Sequence, residues 1–154
     1  MPAGPPRQTP LGLRLTRSAK IIERAFNDAM AEAGGSAPMW SILIALKSHG
    51  GWNQNELAGS IGIRGATLTH HLDAMETQKL LTRRRDPDNR RVHIVELTPA
   101  GERMFLRLRE VAGRFDRDLR RGIPAADREL FESVLGTMIN NVDRRSTSSI
   151  PRSR

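Results

Sequence analysis

DPDNRRVHIVELTPAG, residues 86–101, puts turn formers, two adjacent arginines and an alternating apolar run in immediate succession. Asp86, Pro87, Asp88 and Asn89 each favour a turn, through a fixed φ or through side-chain bonds to their own backbone. The run from Val92 to Leu97 then repeats with the period of two that belongs to a β-strand. Upstream, Leu80 to Arg85 reads as a partner strand, so the spacing predicts a hairpin with Arg90 and Arg91 at its tip. Val92, Ile94 and Glu96 share one face of the second strand, and Arg91, His93, Val95 and Leu97 share the other. Both sets contain apolar residues, so the pattern leaves the inward face open.

The residues before this hairpin give it a meaning. Asn53-Gln54-Asn55-Glu56 has the form of a capping box, in which two side chains satisfy each other's backbone N–H groups at a helix start. A short helix with Leu57, Ala58 and Ile61 inward follows, and Gly62 stops it. A second helix runs from about Gly65 to Gln78, with Leu68, Leu72 and Met75 inward and Thr67, His70, His71 and Glu76 outward. Two helices joined by a tight turn are a helix-turn-helix, and a hairpin directly after it is a wing.

Working outward, Thr9 caps and Pro10 begins a helix that ends at Gly34-Gly35. Pro38 opens another, which stops at His49-Gly50-Gly51, with His49 as its cationic end. After the hairpin, Thr98 caps and Pro99 begins a long helix that Gly122 closes, and Pro124 opens the last. The expected division is a flexible arm over 1–9, a dimerisation helix in 10–37, the winged helix-turn-helix in 38–98, two further dimerisation helices in 99–143, and a disordered basic tail over 144–154. The fold class is mainly α with a small β-hairpin. The terminal helices carry more apolar face than a small winged domain covers from one side, which predicts a homodimer. A monomeric helical bundle is the alternative.

The chain has 154 residues, a formal net charge of +8 and no cysteine. That length supports one cored domain without disulfides. The charge calls for a polyanionic partner, nucleic acid or an acidic membrane surface, and does not itself choose between them. No apolar run approaches the roughly 18 residues a spanning helix needs, and the proline-rich start is unlike a signal peptide, so the protein is expected in the cytoplasm. There is no Gly-rich phosphate loop and no G-x-S-x-G nucleophile motif. Adjacent His70 and His71 do not point the same way on a helix, which argues against a metal site. Asp73 and Glu76 read as surface charges paired with Lys79 or an arginine. No catalytic constellation, cofactor or metal is therefore expected.

DNA accounts for the remaining residues. A helix enters the major groove, where base edges present distinguishable donor and acceptor patterns. Thr67, Thr69, His70 and His71 are short polar side chains at the right end of the second helix, with Thr69 leaning towards the protein. Arg64 and Gly65 stand at its N-terminus, where anions are favoured. Arg83, Arg84, Arg85, Arg90 and Arg91 crowd like charge onto one hairpin, and arginine on a tight turn fits a narrow minor groove.

The segment LAGSIGIRGATLTHHLDAMETQKLLTRRRDPDNRRVHIVELTPAG, Leu57 to Gly101, resembles the winged helix-turn-helix of the MarR family of bacterial transcription regulators. The resemblance implies an obligate homodimer, a recognition helix in each major groove and a wing arginine in the flanking minor groove. Two copies about a two-fold axis read a pseudo-palindromic operator with half-sites roughly one turn apart. It also implies a small effector, often a phenolic or other aromatic anion, held between the dimer helices and the DNA-binding lobe. Met39, Trp40, Leu43 and Phe105 are the candidate lining, with plain core packing as the alternative. Two positions depart from the family pattern. Asn89 stands where an Asp commonly orients the second wing arginine, with Asp88 as a substitute, and Arg64 replaces the usual Ser or Asp at the recognition-helix start. The function expected is a dimeric, sequence-specific repressor released by a ligand. The rivals are a winged-helix factor that binds DNA constitutively and a module whose basic hairpin docks an acidic partner or membrane.

Overall fold

The computed structural model describes residues 9–48, 52–87 and 93–147, with side chains as far as 143. The hairpin tip with Asn89, Arg90 and Arg91, and the helix end at His49, lie outside the described residues. The order is α1 (Leu11–Glu32), α2 (Ala37–Ser48), β1 (Trp52–Asn53), α3 (Gln54–Ile61), α4 (Gly65–Thr77), β2 (Leu81–Arg85), β3 (His93–Leu97), α5 (Pro99–Arg120) and α6 (Ala125–Thr147). The chain divides into two compact units, 1–116 and 117–154, at a boundary that falls within the α5 range.

Local chemistry sets the boundaries. Both halves of the capping box form at α3: the Asn53 side chain accepts from the Glu56 N–H, and the Glu56 carboxylate accepts from the Asn53 N–H. Gly62 ends α3 in the left-handed region at φ 68°, and the Ile63 N–H reaches back to the Ala58 carbonyl at 3.2 Å. That six-to-one bond, which only a left-handed residue permits, satisfies a carbonyl the helix end leaves open. The turn between α3 and α4 is tight for this reason.

Three boundaries differ from expectation. Helix α1 begins one residue later than predicted, with Pro10 at its cap position and no side-chain cap bond. Helix α2 is capped by Ser36, whose Oγ accepts from the Met39 N–H at 3.2 Å, while Asn27 Oδ1 accepts from the Ala37 N–H. Pro38 therefore lies inside the first turn, where its missing N–H is not needed. Helix α6 runs to Thr147, four residues into the stretch read as tail.

The hairpin belongs to a three-stranded antiparallel sheet of order β1-β3-β2. The extra strand, Trp52–Asn53, pairs with Val95 and Ile94. It is held to α2 by the Trp52 indole N–H, which donates to the Ala45 carbonyl at 2.7 Å. Leu81 faces Leu97, Arg83 faces Val95 and Arg85 faces His93 across the β2–β3 ladder. Val95 is fully buried while Glu96 is exposed, so the Val95 and Leu97 face is the inward one.

One core serves the first unit. Met30 of α1, Ile42 and Leu43 of α2, Leu57 of α3, Leu68 and Leu72 of α4, Leu81 and Val95 of the sheet and Leu108 of α5 are all buried together. The helix-turn-helix thus shares its interior with α1 and α5 rather than standing as a separate lobe. In the second unit, α6 leaves Leu130, Phe131, Val134, Ile139 and Val142 exposed.

Candidate nucleic-acid interface

Helix α4 hangs from this core by Leu68, Leu72 and Met75, all buried. The opposite face therefore points to solvent, and it carries exposed Ala66, Thr67 and His70. Arg64 holds the N-cap position with extended backbone and makes no side-chain cap bond. Arg64 is exposed and has no ion-pair partner among the described residues, at a helix start whose backbone N–H groups it leaves uncapped. Arg64, Gly65, Thr67 and His70 form the outward end of the helix.

Thr69 and His71 take other directions. The Thr69 hydroxyl accepts from Gln54 Nε2 at 2.6 Å and donates to the Gly65 carbonyl at 3.0 Å, so it ties α4 to α3. The leaning inferred for Thr69 is observed. The His71 ring is turned from that of His70, with centroids 5.8 Å apart. It lines a cavity of about 240 Å³ with Gly34, Gly35, Ser36, Met39 and Gln78.

On the wing, strand alternation puts Arg83 and Arg85 on one face of β2 and Arg84 on the other. Arg83 lies on the inward face opposite Val95, and its side chain is 20% exposed. Its Nε donates to Glu76 Oε2 at 3.0 Å, its Nη2 donates to Asp73 Oδ1 at 2.6 Å and also to Glu76. Its backbone N–H donates to Glu76 Oε1 at 3.2 Å. Asp73 and Glu76 thus pair with an arginine, and the arginine is Arg83. The direct bonds from Arg83 hold the Glu76 carboxyl below the ordinary glutamate value, and those from Glu76 raise the already high Arg83 value. Arg84 lies on the other face and pairs with Glu96 at 3.0 Å, an exposed ion pair. Arg85, exposed and nearest the tip, has no ion-pair partner among the described residues.

At the base of the wing, Lys79 takes the left-handed conformation at φ 58°. The Leu80 N–H donates to the Met75 carbonyl and the Lys79 N–H to the Glu76 carbonyl, closing α4 in the same way that Gly62 closes α3. The Thr98 N–H donates to the Leu80 carbonyl at 3.0 Å. Its hydroxyl donates to the Lys79 carbonyl at 2.6 Å and accepts from the Gly101 N–H at 3.1 Å, capping α5 as expected.

The MarR family model matches residues 36–93, which run from the α2 cap into β3. The HTH-type transcriptional regulator YdgJ of Bacillus subtilis (strain 168) is 30% identical over 91 residues, 59% of this chain and 56% of that protein. The match therefore spans little more than half of that relative's length. A solved structure of the transcriptional repressor CouR bound to a 23-mer DNA duplex is 30% identical, with a TM-score of 0.77 over 84% of this chain and 92% of that one. The chain belongs to the MarR family.

A second CouR structure, bound to p-coumaroyl-CoA, is 28% identical to this MarR-family chain, with a TM-score of 0.74 over 84% of this chain and 91% of that one. Of the four candidate effector residues, Met39 lines the cavity beside His71, while Trp40, Leu43 and Phe105 are not in its wall. Leu43 is fully buried core. Trp40 and Phe105 stack on each other at 5.6 Å, with Lys47 and Arg109 over the Phe105 ring. Among the described residues no three His, Asp or Glu side chains gather to hold a metal ion, and no helix is long and apolar enough to cross a membrane.

Sequence reasoning did not assign Gln54, nor the double acceptor that Asp73 and Glu76 present to one guanidinium. The three-residue spacing of those acids on α4 was a usable signal. It lacked the inward face of the hairpin, which the alternation in β3 leaves open.

Proposed function

We propose that this MarR-family protein is a homodimeric, sequence-specific DNA-binding repressor that a small aromatic ligand releases from its operator. The observation that carries the reading is the outward end of α4, where Arg64, Gly65, Thr67 and His70 project from a helix anchored on its other side by buried Leu68, Leu72 and Met75. Thr67 and His70 read base edges. Arg64, Arg84, Arg85, Arg90 and Arg91 supply phosphate neutralisation and counterion release, with Asn89 or Asp88 orienting the tip. Thr69, His71 and Arg83, engaged elsewhere, position these groups rather than touch bases. The DNA-bound CouR relative supports the same use of the fold.

Dimerisation is supported by the apolar side chains each unit leaves in solvent, among them Ile21 at 71% and Leu130 at 64% exposed. Such surfaces are seldom tolerated unless covered. Ligand control is supported by the cavity between the α1–α2 corner and α4, which lies against the reading helix itself. At about 240 Å³ it is smaller than the roughly 300–1,000 Å³ of drug-sized sites and suits a single aromatic ring against Met39 and His71. The acyl-CoA complex of CouR supports an aromatic acid or its thioester as the class to screen.

Selection of bound fragments from genomic DNA, followed by anisotropy titration, tests the reading. The expected result is one pseudo-palindromic site bound at least a thousandfold more tightly than random duplex, on the order of the usual specificity ratio. Equal affinity for random duplex at physiological salt overturns it. Tight, specific binding that no aromatic acid or thioester weakens would leave a constitutive factor and remove the ligand.

A further inference from the structure

The wing and the reading helix are neighbours in sequence, separated only by Gln78, Lys79 and Leu80. Each must meet the same duplex at once, so the angle between them decides whether a tip arginine and a base-reading side chain engage together. Among the described residues, the Arg83 side chain spans the joint. Arg83 leaves β2 on its inward face and is received by Glu76 in the last turn of α4 and Asp73 one turn earlier. Glu76 takes the backbone N–H as well as the guanidinium of the same residue, which fixes the strand and not just its side chain. The fork of an arginine matched to a carboxylate constrains direction as well as distance.

The charge balance is informative. Two carboxylates on one guanidinium leave a net negative charge on the flank of a helix that approaches phosphate. Coulomb repulsion of DNA by that cluster is unfavourable, so the acids serve something other than attraction. We propose that Glu76, assisted by Asp73, is a positioning residue for DNA recognition: through Arg83 it locks the wing at a fixed angle to α4, and Arg83 itself touches no phosphate. This rests on the DNA-binding reading above.

The test uses Glu76→Gln, Asp73→Asn, Arg83→Met and Arg83→Lys in the full chain, with Arg85→Met for comparison. Operator affinity is titrated over a series of salt concentrations well below the melting temperature. Removing a carboxylate makes the protein more positive, so electrostatics alone predicts tighter binding for E76Q. The clamp predicts the opposite sign, a loss on the order of tenfold, with D73N smaller in the same direction. R83M lowers affinity without changing the slope of log K against log salt, whereas R85M lowers that slope by about 0.9, the value for one phosphate contact. R83K, a point charge without a fork, falls between wild type and R83M.

Amide hydrogen exchange on the free protein gives a readout that needs no DNA. E76Q is expected to speed exchange in β2 and β3 while α4 keeps its protection. Unchanged wing exchange, E76Q binding as tightly as wild type, or R83M losing a full phosphate contact from the slope each overturns the clamp. A wild-type protein with no preference for any duplex overturns the DNA-binding reading instead, and the exchange experiment still decides whether the joint is locked.

Discussion

A Cβ added at Gly101 would lie 1.9 Å from the Leu80 carbonyl oxygen. Gly101 is itself buried, in the first turn of α5, and the oxygen it abuts is the one that accepts the Thr98 N–H. A glycine is needed here for proximity, because the obstacle is main chain that no rotamer change removes.

Gly101→Ala is therefore expected to lower stability by about 3 kcal/mol, as overpacking against backbone does. Equilibrium urea denaturation checks this. An unchanged midpoint would mean that α5 does not seat against the wing base. At Gly35→Ala the three nearest atoms all belong to the Leu108 side chain, its methyl groups at 2.6 and 2.7 Å, and the smaller loss expected there separates backbone from side-chain obstruction.

Arg64 occupies a cap position without capping it. Arg64→Ser supplies the missing acceptor and should raise stability by about 1 kcal/mol. The same change removes a cation from the outward end of α4, so operator affinity should fall and the salt slope should drop by about 0.9. Opposite movement of the two quantities, by denaturation and by anisotropy, is the expected signature. Movement in the same direction would remove Arg64 from the interface.

Lys79 holds a left-handed conformation that disfavours any side chain with a Cβ. Lys79→Gly relieves this and is expected to stabilise by roughly 0.5–1 kcal/mol, after the greater chain entropy of glycine is subtracted. Lys79→Val should destabilise, because a β-branched residue tolerates that region least. Urea midpoints of the pair, compared at constant m-value, decide.

The lowered Glu76 carboxyl fixes the sign of one pH effect. Its direct bonds with Arg83 are the largest cause, partly opposed by burial and by Asp73. A carboxyl whose folded pKa lies below its unfolded value, roughly 4.3, contributes stability that is fully present above that value. The contribution is lost as pH falls through the folded pKa. The stability gap between wild type and E76Q should accordingly be level from pH 6 to 8, values chosen about two units clear of the carboxylate range, and shrink in acid. Arg84 and Glu96 are about half exposed, so Arg84→Ala should leave the urea midpoint close to that of wild type.

These sites differ in how far the sequence discloses them. The α3 capping box, the glycine that stops α3 and the Thr98 cap of α5 are local devices, and each reads directly from residues three or four apart. The helix-turn-helix and wing follow from their order. Strand β1 is two residues long and has no period to detect; it exists because Trp52 reaches Ala45 and β3 offers a free edge. The inward face of β3 was ambiguous because both faces hold apolar residues, and only pairing with β2 and β1 resolves it. Arg83 inherits that ambiguity. Three adjacent arginines look equivalent in a list of charges, yet alternation sends Arg84 to Glu96 on one face and Arg83 to two carboxylates on the other, while Arg85, on the same face as Arg83 but nearer the tip, is exposed. The pocket residues fared unevenly for a similar reason: Met39 and Leu43 are four apart on α2, but a void beside one of them depends on the α1–α2 corner.

Lys79, Leu80 and Thr98 stitch both feet of the hairpin together at one peptide. A ribbon held at its root, and braced at mid-length by β1 against Ile94 and Val95 and by the Arg83 bonds to Glu76 and Asp73, is a braced cantilever. With five residues in each strand at about 3.3 Å per residue, its arm is roughly 16 Å, so a tilt of about 10° at the root sweeps the far end through about 3 Å, a full hydrogen-bond length. On the DNA-binding reading proposed above, the stiffness of this root together with its mid-length braces sets how finely the far end is placed along a duplex.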